Sequence, residues 1–150
     1  YLIAWSMGVL VSNLFYQDLS GFDKKIAING TTKMIDNDFG IPPRIYKVTT
    51  KYLNEDSRDK FIKNMFKNGS LNPNIKITRN LEELKEELIA IEGIKIDKEL
   101  VFDKALISLD DRIVPSENQI RFWSNKTKIE KINSTHCPFD NYDSWCQLLC

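Results

Sequence analysis

Three side chains in this sequence are of the types, and in the order, that acyl-transfer chemistry requires. Ser6 lies in Ala4-Trp5-Ser6-Met7-Gly8, where an apolar strand-like run meets a turn and a helical pattern restarts at Val9, Leu10 and Val11. A serine at a strand-to-helix corner stands clear of the backbone ladder. The first N–H groups of the following helix lack intrahelical acceptors and so favour negative charge. Asp110 and Asp111 follow an apolar run that ends at Leu109, and His136 lies in a loop just before Pro138. In such a set serine attacks an acyl carbon, and histidine takes its proton and returns it to the leaving group. Aspartate holds the imidazole tautomer and stabilises the imidazolium. The backbone N–H of Met7 is the expected oxyanion donor. Strand-end reasoning alone leaves Asp110 and Asp111 both open as the acid.

Positioning these groups calls for strands that end together. After a helix expected to run to about Asp18–Ser20, Lys24 to Gly30 reads as a short buried strand ending in a Gly-Thr turn. Strand, helix, strand implies a parallel sheet. From about Lys33 to Ile94 the strand rhythm stops. A loop, Asp36 to Pro43, precedes helical spacing over Arg44–Tyr52 and Ser57–Lys67, ended by Asn68-Gly69-Ser70, and a third helix capped by Asn80 and running to Gly93. A helical excursion of this kind between two strands is the form a lid over a site would take. The sheet resumes at Asp103–Leu109, and functional groups of open α/β sheets collect beyond the carboxyl ends of strands. Ser116 is the expected cap of the next helix, with Gln119 in capping-box position. Lys128–Ile132 reads as a last strand, and a final helix runs from about Asp143 through Leu149. Gly8 is expected to be required because a side chain there would meet the crossing strand, whereas the methyl group of Ala4 fits.

The 150 residues suffice for one domain, and a 42% hydrophobic content supports a sizeable core. The apolar run from Leu2 to Tyr16 is interrupted by polar residues and is too short to span a bilayer. A soluble, cytoplasmic monomer that binds neither membrane nor nucleic acid is expected. Net charge is zero, but Arg44 to Lys67 carries an excess of four positive charges and Leu81 to Leu100 an excess of four negative ones. Cys137, Cys146 and Cys150 crowd the last fourteen residues; their odd number argues against a secreted disulfide framework, and they lack paired Cys-x-x-Cys hooks for zinc. Cys137 beside His136 is a weak thiol nucleophile, because adjacent residues in an extended loop point apart. No cofactor or metal is expected. The chain opens on Tyr1, already inside its first strand, so the expected fold is the C-terminal portion of a larger sheet whose missing part is N-terminal.

Ala4-Trp5-Ser6-Met7-Gly8 resembles the nucleophile elbow of the α/β hydrolases, with Ala4 where glycine is usual, and Ser6, aspartate, His136 is the chain order that fold uses. Asp111-Arg112-Ile113-Val114-Pro115 is similar to the acid loop of that superfamily, which favours Asp111 over Asp110. A closer resemblance spans nearly the whole chain. The elbow, Ala27-Ile28-Asn29-Gly30-Thr31, Ile35 to Pro43, Asp111 to Pro115 with Glu117-Asn118-Gln119 and Phe122-Trp123, and His136-Cys137-Pro138-Phe139 look like BioG, a family of pimeloyl-acyl-carrier-protein methyl ester carboxylesterases of biotin synthesis. The resemblance implies an α/β-hydrolase fold with a helical lid at about 33–94. It also implies hydrolysis of a methyl ester on a pimeloyl chain held by acyl carrier protein, with Ser6, Asp111 and His136 as the triad. A general short-chain esterase or thioesterase, or a non-catalytic binding module, are the alternatives. Trp5, Phe39, Ile41, Tyr46, Phe61 and Met65 are the expected substrate contacts. Arg44, Lys47, Lys51, Arg58, Lys60, Lys63 and Lys67 are the expected docking surface for the acidic carrier.

Overall fold

Four short strands, β1 (Leu2–Trp5), β2 (Lys25–Ile28), β3 (Lys104–Ser108) and β4 (Lys128–Ile132), pair in parallel in chain order, as seen in a computed structural model that describes residues 1–66 and 78–149. The registers align Trp5 with Ile28, and Ser108 with Ile132, so the strands end along one edge of the sheet. Every residue of β2 and β3 is buried, as expected for central parallel strands covered on both faces. Alternation divides them between two cores. Ala27, Ala105 and Ile107 pack with Val9, Phe102, Phe122 and Trp123 on one face. Ile26, Ile28 and Leu106 pack with Leu148 on the other. Each such Ile or Leu stabilises the fold by about 1.5–3 kcal/mol through burial. Together the parallel sheet and flanking helices form the α/β-hydrolase fold.

The helix after Ser6 is not continuous. It breaks into α1 (Met7–Val11), a 3₁₀ turn over Ser12–Phe15 and α2 (Tyr16–Leu19). The cause is local competition for backbone groups. Ser12 Oγ and Asn13 Nδ2 both donate to the Val9 carbonyl, at 2.9 and 2.7 Å, while Asn13 Oδ1 accepts the Leu100 N–H at 2.6 Å. A segment counted as helix from its apolar spacing therefore tightens where two polar side chains turn inward.

Between β2 and β3 the described residues form three helices, α3 (Pro43–Lys51), α4 (Glu55–Met65) and α5 (Leu81–Glu92). The α4 helix starts two residues before the expected Ser57, because Asn54 caps it and Ser57 closes a reciprocal capping box. Asn80 caps α5 by accepting the Glu83 N–H at 2.8 Å, as its sequence predicts. The expected helix end at Asn68-Gly69-Ser70, together with Lys67 and Cys150, lies outside the described residues. Tyr46 on α3 donates its hydroxyl to the Leu88 carbonyl on α5 at 2.9 Å, and Tyr46, Ile91, Ile41, Met34, Leu10 and Val114 share a core beneath the insertion. Burial, with Glu92 and Glu87 nearby, pushes the Tyr46 hydroxyl up to about 12. After β3 come α6 (Ser116–Trp123), β4 and α7 (Trp145–Leu149), the last shorter than expected. Among the described residues no helix is long and apolar enough to cross a membrane.

Candidate active site

Ser6 is the hinge between β1 and α1, held at φ 54°, ψ −126°. A non-glycine residue there is strained by about 1–3 kcal/mol and persists only where its surroundings dictate it. Its N–H donates to the Ile28 carbonyl at 2.8 Å, and its carbonyl accepts the Val9 N–H at 3.0 Å. The glycine that the corner needs is not Gly8. A Cβ at Gly8 would meet nothing within 4 Å, whereas a Cβ at Gly30 would collide with the Ser6 carbonyl oxygen. The crowding comes from the chain leaving β2, which passes against the serine's own backbone. Ala4, in the usual glycine position of the elbow, is 5% exposed and packs into the core without conflict.

Ser6 Oγ lies 2.8 Å from His136 Nε2, and His136 Nδ1 lies 3.0 and 2.9 Å from the two carboxylate oxygens of Asp111. A carboxylate facing Nδ1 keeps the proton on that nitrogen, which leaves Nε2 to accept the serine O–H. The His136 and Asp111 side chains are both fully buried. Of the two candidate acids, Asp111 reaches the imidazole; Asp110 points to solvent and pairs with Arg112. The Met7 N–H begins α1 and has no intrahelical acceptor.

Two residues absent from the expected set hold these groups. Asn29, itself at φ 47°, donates through Nδ2 to the His136 carbonyl at 2.8 Å and to Ser108 Oγ at 2.8 Å, while its Oδ1 accepts the Ser108 N–H at 2.8 Å. It ties the ends of β2 and β3 to the histidine loop. Its signal in the sequence was an asparagine at a strand end, a residue that tolerates positive φ. Gln119 is the second. Instead of capping α6, which begins at Ser116 behind Pro115 with no side-chain cap, it donates to Asp111 Oδ2 and the Val114 carbonyl, both at 2.9 Å. Its spacing from Ser116 mimicked a capping box.

Ser6 and Met7 open onto a cavity of about 640 Å³ whose wall includes Ile41, Tyr46, Phe61, Met65, Leu88 and Ile113. Trp5 and Phe39 are not in that wall. Trp5 packs against the His136 ring at 5.4 Å and donates its indole N–H to the His136 carbonyl at 2.8 Å, so it braces the imidazole instead. Phe39 packs edge-on against Phe122 in the sheet core. Arg58 also lines the cavity and pairs with Asp59, its side chain only 19% exposed, so it is not on an open docking face. Arg44, Lys47, Lys51, Lys60 and Lys63 are exposed on α3 and α4, with Lys47 loosely paired to Glu92 at 3.6 Å. Cys137 is half-buried, and burial pushes its thiol up, the charge of Asp140 adding to this against a backbone hydrogen bond at Phe139. Such a thiol is a poor nucleophile. Among the described residues no group of three or more His, Cys, Asp or Glu comes together as a metal site.

Fold and site geometry define an α/β hydrolase. The model of the family "Pimeloyl-ACP methyl esterase BioG" matches residues 1–148, and the chain belongs to that family. The crystal structure of a BioG from Haemophilus influenzae superposes with a TM-score of 0.89 at 29% identity, covering 98% of this chain and 71% of that one. An uncharacterized Haemophilus influenzae protein is 31% identical over 98% of this chain and 71% of its own length. A malonyl-[acyl-carrier protein] O-methyltransferase of Bacteroides fragilis is 37% identical over 91% of this chain, which spans only 29% of that protein.

Proposed function

We propose that this chain hydrolyses the methyl ester of a pimeloyl chain carried on acyl carrier protein, with Ser6 as nucleophile, His136 as general base and acid, and Asp111 as the acid that orients it. The observation that carries the proposal is the hydrogen-bonded series Ser6, His136, Asp111 at 2.8 and 2.9 Å, opening on a largely apolar cavity. Family membership names the substrate class. The malonyl-carrier O-methyltransferase relative adds that a similar segment occurs in a protein named for methylating a carrier-bound acyl group.

In the first step Ser6 Oγ bonds to the ester carbon while its proton passes to His136 Nε2. The carbonyl oxygen gains the negative charge and faces the Met7 N–H. Collapse breaks the bond to the methoxy oxygen, which leaves as methanol with the proton from Nε2. Water then attacks the acyl-serine, His136 takes a proton from it, and a second collapse returns that proton to Ser6 and frees the carboxylic acid, which ionises by losing its remaining proton to solvent. The cavity has the size of a small-molecule site, roughly 300–1,000 Å³, and Ile41, Phe61 and Met65 supply the apolar wall an acyl chain needs. In this reading α3 to α5 form a lid, and Arg44, Lys47, Lys51, Lys60 and Lys63 steer the acidic carrier. Arg58 acts inside the cavity.

A fluorophosphonate probe tests the nucleophile: the chain labels once, and Ser6→Ala abolishes labelling. Hydrolysis of the carrier-bound methyl ester is then compared with that of short free esters and thioesters. No labelling of Ser6 sinks the esterase reading in favour of a binding module. Equal kcat/KM on all substrates sinks the assigned specificity.

A further inference from the structure

Gln119 is fully buried, and every polar atom around its amide nitrogen is an acceptor: Asp111 Oδ2 and the Val114 carbonyl, each at 2.9 Å. Only the NH₂ end of the side chain can face two acceptors, so its orientation is fixed by chemistry. The other end finds nothing to accept from, because Gln119 Oε1 is buried without a hydrogen-bond partner among the described residues. A residue that merely filled this space would be Leu or Met, which leave no orphan oxygen. The donated hydrogen bond to Asp111 is what the site retains.

Apart from the imidazole, which faces both oxygens, the other donors to Asp111 meet one oxygen alone. Its Oδ1 accepts the Ile113 and Val114 N–H groups at 2.8 and 2.9 Å, which hold that oxygen and not Oδ2. Gln119 pins Oδ2 and so fixes the carboxylate plane against His136 Nδ1. It also keeps its hold on Val114, the residue whose N–H holds the first oxygen. Both oxygens are therefore referred to one short segment at the start of α6.

We propose that Gln119 is a positioning residue for the acid, acting through Asp111 to keep the proton on His136 Nδ1 and Nε2 turned to Ser6. This deepens the esterase reading and rests on it. Because His136 is the single histidine in the chain, ¹⁵N-histidine NMR reports its tautomer without assignment. In the full wild-type chain one Nδ1–H signal is expected. In Gln119→Met, close in volume and without the donor, that signal should broaden or give way to mixed tautomers. The value of kcat should fall about tenfold to a hundredfold with KM unchanged, below the roughly 10⁴-fold loss when the acid supports the wrong tautomer. Gln119→Glu, nearer in shape and kept protonated by burial beside Asp111, still has a donor for Oδ2 and should lose less than Gln119→Met. A packing role predicts the reverse ranking.

An unaltered Nδ1–H signal and kcat in a folded Gln119→Met chain overturns the proposal. So does a Gln119→Glu chain that loses more activity than Gln119→Met. If wild-type Ser6 fails to label with fluorophosphonate, the esterase reading falls separately, and the NMR comparison alone decides whether Gln119 sets the imidazole.

Discussion

The strand-end site and the helical insertion above it are held together by different kinds of interaction. At the site, each residue of the series is tied by directed hydrogen bonds to specific backbone or side-chain atoms: Ser6 to Ile28, His136 to Asn29 and Trp5, and Asp111 to Ile113, Val114 and Gln119. In the insertion, α3 to α5 rest on apolar contacts, helix caps and exposed charge, with Tyr46 to Leu88 as a part-buried hydrogen bond between helices. Directional bonds fix position to within tenths of an ångström, which acyl transfer needs. Apolar contacts tolerate small shifts, which under the proposed function suits a surface that admits an acyl chain. Geometry is held below, and adaptability lies above.

The comparison breaks most sharply at position 30. Gly30→Ala should force the Ser6 corner to move and lower kcat about 100-fold or more, while Gly8→Ala, in open space at the start of α1, should leave kcat within about twofold. Steady-state rates of the two variants side by side check this. If the two lose equally, the close approach at Gly30 is not what holds the serine. Next in size is Asn29→Leu, which removes one of the two side-chain donors to the His136 carbonyl and takes away the Asn29 partner of both the Ser108 N–H and the Ser108 hydroxyl. A stability loss of about 2–4 kcal/mol by urea unfolding is expected, with activity lost as well.

Changes in the insertion should be milder and should discriminate between substrates. Reversing the charge of Arg44, Lys47, Lys51, Lys60 and Lys63 together should raise KM for a carrier-bound ester about tenfold or more, in a salt-dependent way, and leave short free esters untouched. An equal loss on both would rule out docking there. The smallest effect belongs to Tyr46. Its folded value of about 12 lies above the ordinary tyrosine value, so above about pH 10 the unfolded chain loses a proton that the folded chain retains. Stability therefore falls with rising pH, by up to about 2–3 kcal/mol near pH 12. Tyr46→Phe should remove this alkaline decline while weakening the fold by about 1 kcal/mol at neutral pH. Melting temperatures at about pH 8 and about pH 11 check both parts.

What could be seen in the sequence divides along the same line. Strands and caps follow from local pattern: the apolar runs at β2 and β3, Asn80 before α5, and the placing of Ser6, Asp111 and His136 at strand ends. Longer-range contacts were hidden because they are set by what another segment brings. Asn29 looked like the end of a strand and nothing more, since nothing nearby announces the His136 carbonyl more than a hundred residues on. Gln119 looked like a capping residue, since a carboxylate eight positions earlier is invisible to helix rules. Trp5 and Phe39 looked like substrate contacts because aromatic type says nothing about which face a side chain takes. Gly8 looked required, and Gly30 read only as part of a turn, because crowding at the elbow comes from a second strand.

The N–H of Cys137, the residue after His136, donates to the carbonyl of Met65 at 2.9 Å. Met65 ends α4, so the histidine's peptide is fastened to the sheet on one side and to the insertion on the other. Anyone grafting an insertion from a relative to change the accepted acyl chain inherits this junction as a design constraint. The incoming helix must end with a carbonyl in the same spot, or the swapped enzyme will change its histidine along with its substrate.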